Sequence, residues 1–290
     1  MTTAASTTCA RLKTEVRPFR PVAVQLLRMM GDPAIPFGKV ADLVQTDPVL
    51  SMELLRIANS PLFAVRMEIT RVLQAIVFLG ADMVSAMVVT TCLKSLANKP
   101  TSRAILDCWR HSLATALICQ RLSEPLRIKD SNGYTAGLIH DIGQLAFLSV
   151  FPAYETALAS AGERGTDPLE VEREMFGLDH GEAGSWLLAQ WGVPRELQDV
   201  AAKHESPPPP EARDGNLIRL VHGASAMADL MGLSAMESAP HEDLPQIAAA
   251  LPEAGPELTE QAFAELAQTI MIKINAVEMS LGFGPTGDHA

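Results

Sequence analysis

The sequence predicts an all-α protein, and three observations carry that expectation. Apolar residues make up 48% of the 290-residue chain but aromatics only 5%, so Ala, Leu and Met supply much of the apolar content. Those side chains lose little rotamer freedom in a helix. Apolar positions recur three and four residues apart in short segments, and Pro, Gly and Asx residues stand where helices begin and end. No stretch alternates apolar and polar residues strongly enough to require a strand. The expected architecture is an N-terminal helical half-bundle on a second helical unit, followed by an amphipathic C-terminal helix.

Residues 1–17 are Thr/Ala-rich and read as a flexible leader, lacking the basic-then-apolar order of a signal peptide. Helical pattern starts at Pro18. Val22 to Met30 is apolar enough to pack and is stopped by Gly31-Asp32-Pro33; Phe37 to Val44 is a second short amphipathic piece. Asp47-Pro48 opens a helix, with a capping carboxylate before a proline at the first helical position. Leu50, Leu54, Leu55 and Ala58 form its core stripe, and Asn59-Ser60-Pro61 ends it, Asn being a common C-cap and proline forbidding continuation. Thr70 to Leu79 and Met83 to Leu96 are helical, separated at Gly80-Ala81-Asp82. Together these segments make an N-terminal unit over residues 18–100.

A second unit spans residues 101–232. Trp109 to Leu122 carries His111, Ala114, Thr115 and Ile118 on one side, and Thr135 to Phe147 reads as one helix holding His140 and Asp141. Phe151-Pro152 breaks it, Ala153 to Ala161 follows, and Asp167-Pro168 starts a helix to Phe176. Asp179 and Glu182 form a capping box for a helix whose face is His180, Gly184, Leu187, Leu188 and Trp191. The missing side chain at Gly184 invites a close neighbour. Leu197, Val200, Ala201 and His204 align after Pro194, Pro207 to Pro210 form a stiff loop, and Asn216 can cap a helix with the stripe Ile218, His222, Ser225 and Asp229. Residues 233–256 read as a linker with one short helix from Leu244 to Ala250. Residues 257–290 hold a long amphipathic helix, Leu258 to Leu281, whose stripe must be buried on the chain or on a partner, and a fraying tail.

A formal charge of -11 leaves no basic surplus for displacing counterions from a polyanion, so no nucleic acid is expected as partner. The four cysteines form no Cys-x-x-Cys pair. If Cys108 and Cys119 share a helix, they lie roughly 16 Å apart at 1.5 Å per residue, too far for a disulfide. The longest apolar runs, such as Met83 to Leu93, are too short to span a membrane. A cytoplasmic protein with reduced thiols is expected.

The chemistry lies in the inward polar residues: His111, His140-Asp141, His180, His204 and Asp229. Buried His and Asp are costly unless hydrogen-bonded, paired or bound to a metal. Imidazole and carboxylate suit Fe, Mn, Zn or Mg, and six such groups could hold one ion or two. Read singly, each is also a plausible core side chain, a His bonded to a carbonyl or an Asp pairing with a neighbouring imidazole. His222 has no assigned role.

Several segments in order resemble one family. They are Asp47-Pro48-Val49-Leu50, Leu54 to Phe63, Ala75 to Gly80, Trp109-Arg110-His111-Ser112, Gly137 to Gly143, His180 to Gly184 and Trp191-Gly192-Val193-Pro194. This order is similar to the HDOD (HD-related output domain) family over roughly residues 18–232, within the HD phosphohydrolase superfamily. The resemblance implies an HD-like helical domain for the second unit, with His111, His140, Asp141 and Asp229 around a first metal and His180 and His204 helping to hold a second. The chain departs from the HD-GYP phosphodiesterase branch at three places. Gln144 stands where that branch has a phosphate-binding lysine, Glu205 where it has a second histidine, and Ser206 leads into four prolines instead of Gly-Tyr-Pro.

The resemblance therefore implies a bacterial signal-transduction output module. Such a module works by binding a protein partner or small signalling ligand, with Asn59, Gln144 and Glu205 offered to a groove. The cofactor is either none or one of the divalent metals above. A metal-dependent phosphohydrolase or phosphodiesterase is the alternative, and an adaptor that homodimerises through the C-terminal helix is a second.

Overall fold

The computed structural model describes residues 2–17, 21–30, 34–60, 63, 67–96, 102–123, 125–126, 133–209, 215–234, 242–251 and 258–281. Among them every regular element is a helix, in agreement with the all-α expectation. The N-terminal group is α2 (Pro21–Met30), α3 (Phe37–Val44), α4 (Pro48–Ala58) and α5 (Val72–Leu96), which pack on one another. Asp47 caps α4, its carboxylate accepting from the amides of Val49 at 2.9 Å and Leu50 at 3.2 Å. A cap of this kind is worth about 1 kcal/mol. Gly80, at φ 77°, kinks α5 at the break the sequence marks.

The second group is built round α6 (Arg103–Ser123), whose residues from Cys108 to Cys119 are buried except Arg110. Against it lie α7 (Gly133–Ile139), α8 (Ile142–Val150), α13 (Asn216–Leu230) and α15 (Glu260–Leu281). Between α8 and α13 in the chain come α9 (Pro152–Arg164), α10 (Pro168–Phe176), α11 (His180–Gln190) and α12 (Arg195–Lys203), and α14 (Leu244–Ala250) packs on α13. The contact of α5 with α7 joins the two groups. The caps of α10 and α11 form as read: Leu169 N donates to Asp167 at 3.0 Å, and Asp179 and Glu182 bond each other's backbone amides at 3.1 and 2.8 Å.

Three expectations are corrected. Residues 3–15 belong to no flexible leader; they form α1 (Thr3–Glu15), with Ala5, Cys9 and Leu12 buried and the Thr8 hydroxyl donating to Phe176 O at 3.0 Å. Small residues let it lie close: a Cβ on Gly177 would stand 2.6 Å from Ala5 N. Second, Thr135 to Phe147 is not one helix, because the chain breaks at His140-Asp141 between α7 and α8. His140 folds its Nδ1 back onto Gly137 O at 2.7 Å and ends α7 there. Third, Asn216 is the first residue of α13 and gives no cap bond; its side-chain oxygen accepts from the guanidinium of the buried Arg219, which also holds Pro209 O at 2.8 Å.

α15 lays Ile270, Ile274 and Val277 into the common core, and its Glu278 pairs with Arg110 of α6. No single described helix is long and apolar enough to cross a membrane. A bent pair, 133–150 with 152–164, meets the test of length and composition, and its apolar run through α7 and α8 is core residues.

Candidate metal centre

Two close backbone approaches position the centre. A Cβ on Gly137 would stand 2.8 Å from Ala116 N and Cα, so α7 lies directly on α6. A Cβ on Gly143 would stand 1.9 Å from His180 O and 2.6 Å from Gly184 N, so α8 and α11 meet through glycines on both sides. The start of α8 thereby brings Asp141 to the start of α11, where His180 sits. Asp141 occupies the N-cap of α8 but makes no capping bond. Its carboxylate faces imidazoles instead.

The two Asp141 oxygens face two pairs of rings. Oδ2 lies 3.3 Å from His140 Nε2 and 3.6 Å from His111 Nε2; Oδ1 lies 3.1 Å from His204 Nε2 and 3.7 Å from His180 Nε2. His140, His180 and His204 present the same nitrogen because an acceptor holds the other one. Nδ1 meets Gly137 O in His140, Ala201 O at 2.9 Å in His204, and the Glu172 carboxylate at 2.9 Å in His180. Those acceptors require Nδ1–H, which leaves each Nε2 lone pair aimed at the centre. Fixing a ring nitrogen by an outer acceptor is how metal-binding histidines are oriented. His140 Nε2 is buried and makes no hydrogen bond. His180 Nε2 and His204 Nε2 are 3.2 Å apart. Two such lone pairs repel unless a proton or a cation stands between them.

Charge points the same way. Around His180 and His204 stand three carboxylates: Asp141, Glu172 and Glu205, whose Oε1 is 3.5 Å from His180 Nε2 and 3.3 Å from His204 Nε2. Burial alone pulls an imidazole pKa down, but Glu172, Glu205 and Asp141 push His180 well above its ordinary value, and Asp141 and Glu205 push His204 up to about 9. Burial pushes Asp141 and Glu205 up, yet the neighbouring imidazoles hold both carboxyls well below their usual range. His140 goes the other way, lowered by burial that Asp141 only partly offsets. The His180–His204 side thus carries an excess of negative charge, three carboxylates, of which two protons or one divalent ion would offset two.

The structure brings His111, His140, Asp141, His180 and His204 together, in two groups of three that share Asp141 and could each hold an ion. Asp229 stands outside both groups. Its Oδ1 is 3.3 Å from His111 Nδ1, the nitrogen turned away from Asp141, and it borders a cleft of about 500 Å³ lined also by Arg103, Asp107 and Arg110. Of the three residues offered to a groove, Glu205 alone is open to solvent beside the centre. Gln144 is fully buried and accepts from the Cys108 thiol at 3.4 Å. The Asn59 amide holds Leu55 O, Ile69 O and Ile69 N at 2.7–2.9 Å, closing the turn after α4.

Sequence reasoning missed Glu172, Tyr154 and Ser225. Glu172 is fully buried, accepts from the Tyr154 hydroxyl and from His180 N at 2.7 Å, and faces His180 Nδ1. Its signal was available: it lies four residues from both Pro168 and Phe176, on the apolar stripe of α10. Ser225 Oγ bonds His111 Nε2 at 3.0 Å. His222, left without a role, bonds His204 O at 2.7 Å and steadies the end of α12.

The residues present fit a divalent cation: oriented Nε2 lone pairs, one of them orphaned, surround a carboxylate. They would hold it through His and Asp, with Glu205 within reach.

The chain is similar to several known proteins. A curated but uncharacterised protein of Treponema pallidum is 23% identical over 195 residues, 65% of this chain; the chain spans 37% of that relative's length. An HDOD domain protein of unknown function from Geobacter sulfurreducens superposes with a TM-score of 0.72 at 21% identity, covering 95% of this chain and 98% of that one. A candidate phosphohydrolase from Shewanella amazonensis gives 0.67 at 23% identity, covering 96% and 98%. These likenesses show a shared all-α fold. The HDOD domain model matches residues 17–207, about two thirds of the sequence, and the chain belongs to the HDOD family.

Proposed function

We propose that this chain is a signal-transduction output module that acts by binding a ligand or protein partner, with a divalent cation in its His/Asp centre as an internal structural element. The burial of the centre carries this reading. His140 and His180 are fully buried, and His111, Asp141 and His204 are no more than 5% exposed. A phosphoryl substrate must reach the ion that polarises it, and here Asp141 and the four imidazoles are buried among α6, α7, α8, α11 and α12, with Glu205 the one group of the cluster that meets solvent. A buried ion instead ties neighbouring helices together, much as structural zinc sites contribute directly to folding free energy. Zn, Fe and Mn suit its imidazole-rich set better than Mg does.

The test is thermal unfolding of protein purified without chelator, before and after dialysis against one. The reading requires a melting temperature that falls on metal removal and returns with Zn2+ or Mn2+. A chain that melts identically in both states contradicts it.

A phosphohydrolase is the second reading. It is favoured by the way Asp141 divides its oxygens between two imidazole pairs, the disposition a two-metal centre needs, and by the name of the Shewanella amazonensis neighbour. Bound metal would supply Lewis acidity toward a phosphoryl oxygen, and Asp141 with the imidazoles whose Nε2 lone pairs are free to face it would hold it. Turnover of bis(p-nitrophenyl) phosphate by metal-loaded protein, abolished in His140→Ala, would establish this reading over the first.

A further inference from the structure

The two halves of the centre are unequal. On one half, His111 is already engaged. Leu233 O, 3.0 Å from Nδ1, can only accept, so Nδ1 carries the proton; in the neutral ring Nε2 is then left to accept from the Ser225 hydroxyl at 3.0 Å. The lone pair a metal would need is taken. Asp229, the further ligand that the resemblance implies for this half, lies on the Nδ1 side of the same ring. His140 and Asp141 alone remain to face an ion there.

The other half is intact and has gained a group. His180 Nε2, His204 Nε2, Asp141 Oδ1 and Glu205 Oε1 stand mutually 3.2, 3.1, 3.7, 3.5 and 3.3 Å apart in five of their six pairings. Ligands at 2.0–2.1 Å from a tetrahedral ion lie about 3.3 Å from one another. His180 Nε2, His204 Nε2 and Asp141 Oδ1 therefore already make a triangular face of about that size, and Glu205 Oε1 stands beside its His180–His204 edge. Behind His180, the Tyr154 hydroxyl bonds Glu172, and Glu172 holds both the backbone amide and Nδ1 of His180. That pair fixes the ring's orientation and raises its basicity as a ligand.

We infer that the chain binds one divalent cation, held by Asp141, His180, His204 and Glu205, with Tyr154 and Glu172 as positioning residues behind His180. The His111–His140 half takes none. Glu205 is thus a metal ligand of this chain, standing in for the second histidine of the HD-GYP pattern. This inference rests on the reading of the cluster as a metal centre.

The test is equilibrium dialysis of the full, chelator-stripped chain against Co2+, with the visible d–d spectrum and the paramagnetically shifted ring N–H signals recorded together. The wild type should bind one Co2+ and show shifted, exchangeable Nδ1–H signals from two histidines. His111→Ala should keep that stoichiometry and affinity. Glu205→Gln should weaken binding at least tenfold, and Glu172→Gln by about 10–100-fold, the usual effect of losing an outer-sphere carboxylate. Two Co2+ per chain, shifted signals from three or more histidines, or a His111→Ala loss as large as that of His204→Ala would overturn the assignment while leaving the metal reading in place. No bound Co2+ at all would overturn both. The signal count is made on the wild type and stands even if a variant fails to fold.

Discussion

Replacing Gly143 with alanine probes the fold and the centre together. The added Cβ would stand 1.9 Å from His180 O and 2.6 Å from Gly184 N, both backbone atoms. Real Cβ contacts lie beyond 3.0 Å, so α8 and α11 must separate by about 1.1 Å or more. No flexible side chain can absorb that, and overpacking against backbone belongs at or above the upper end of the usual range, about 3 kcal/mol. For a chain of this size the melting temperature should fall by about 6–12 °C. The same separation carries Asp141 away from His180 and His204, so metal affinity should fall as well. Gly38 in α3 is the control, since its Cβ would meet nothing within 4 Å. Gly38→Ala should be neutral or raise stability by roughly 0.5–1 kcal/mol through the unfolded chain. Chemical denaturation of both variants measures the difference; a Gly143→Ala protein within 0.5 kcal/mol of wild type would refute the close-approach reasoning.

The pH dependence of the metal-free chain follows from the same centre. His180 and His204 have folded pKa values raised above the ordinary 6.5, His204 to about 9. The His204 contribution is complete below 6.5 and lost as pH rises through about 9, and that of His180 is likewise lost on the alkaline side. Asp141 and Glu205 are depressed, so theirs is present above the ordinary 3.8 and 4.5 and lost as pH falls further. Calorimetry in chelator should show a melting temperature that declines from pH 6.5 toward 9.5, and metal should erase that decline, because neutral imidazoles bind it. A flat alkaline limb in chelator would count against the charged cluster. Tyr154→Phe removes a buried hydroxyl from Glu172 and should cost about 1–3 kcal/mol in urea titration. Asn59→Ala, losing three bonds across the 59–69 turn, should cost a similar amount and leave metal content unchanged. Arg110→Ala strands the buried Glu278, and limited proteolysis should then cut nearer α15 than in the wild type; an unchanged pattern would show that the ion pair does not hold that helix.

What the sequence made legible was local. Asp47-Pro48, Asp167-Pro168 and the Asp179/Glu182 box start helices where they were read, because a cap is decided within four residues. Gly80 likewise broke α5 where expected. The ring of His111, His140, Asp141, His180 and His204 was legible as a set, from polar residues on apolar faces in a recognisable order. What escaped depends on distant partners. α1 has little apolar content of its own and is a helix packed on α8 and α10, where Thr8 finds Phe176 O across 168 residues. The pattern through Thr135 to Phe147 is continuous, and only the His140 side chain, turned onto Gly137 O, interrupts it. Asp229 lies on the predicted face of α13, yet Ser225, one turn earlier, reaches His111 Nε2 first. Spacing put both on one stripe; only the tertiary approach of α13 to α6 decides which of them meets which nitrogen.

Anomalous diffraction from crystals of the metal-loaded chain tests the central claim most directly. One anomalous peak per chain is expected, within bonding distance of His180 Nε2, His204 Nε2, Asp141 and Glu205. A peak between His111, His140 and Asp229, two peaks, or none would contradict it.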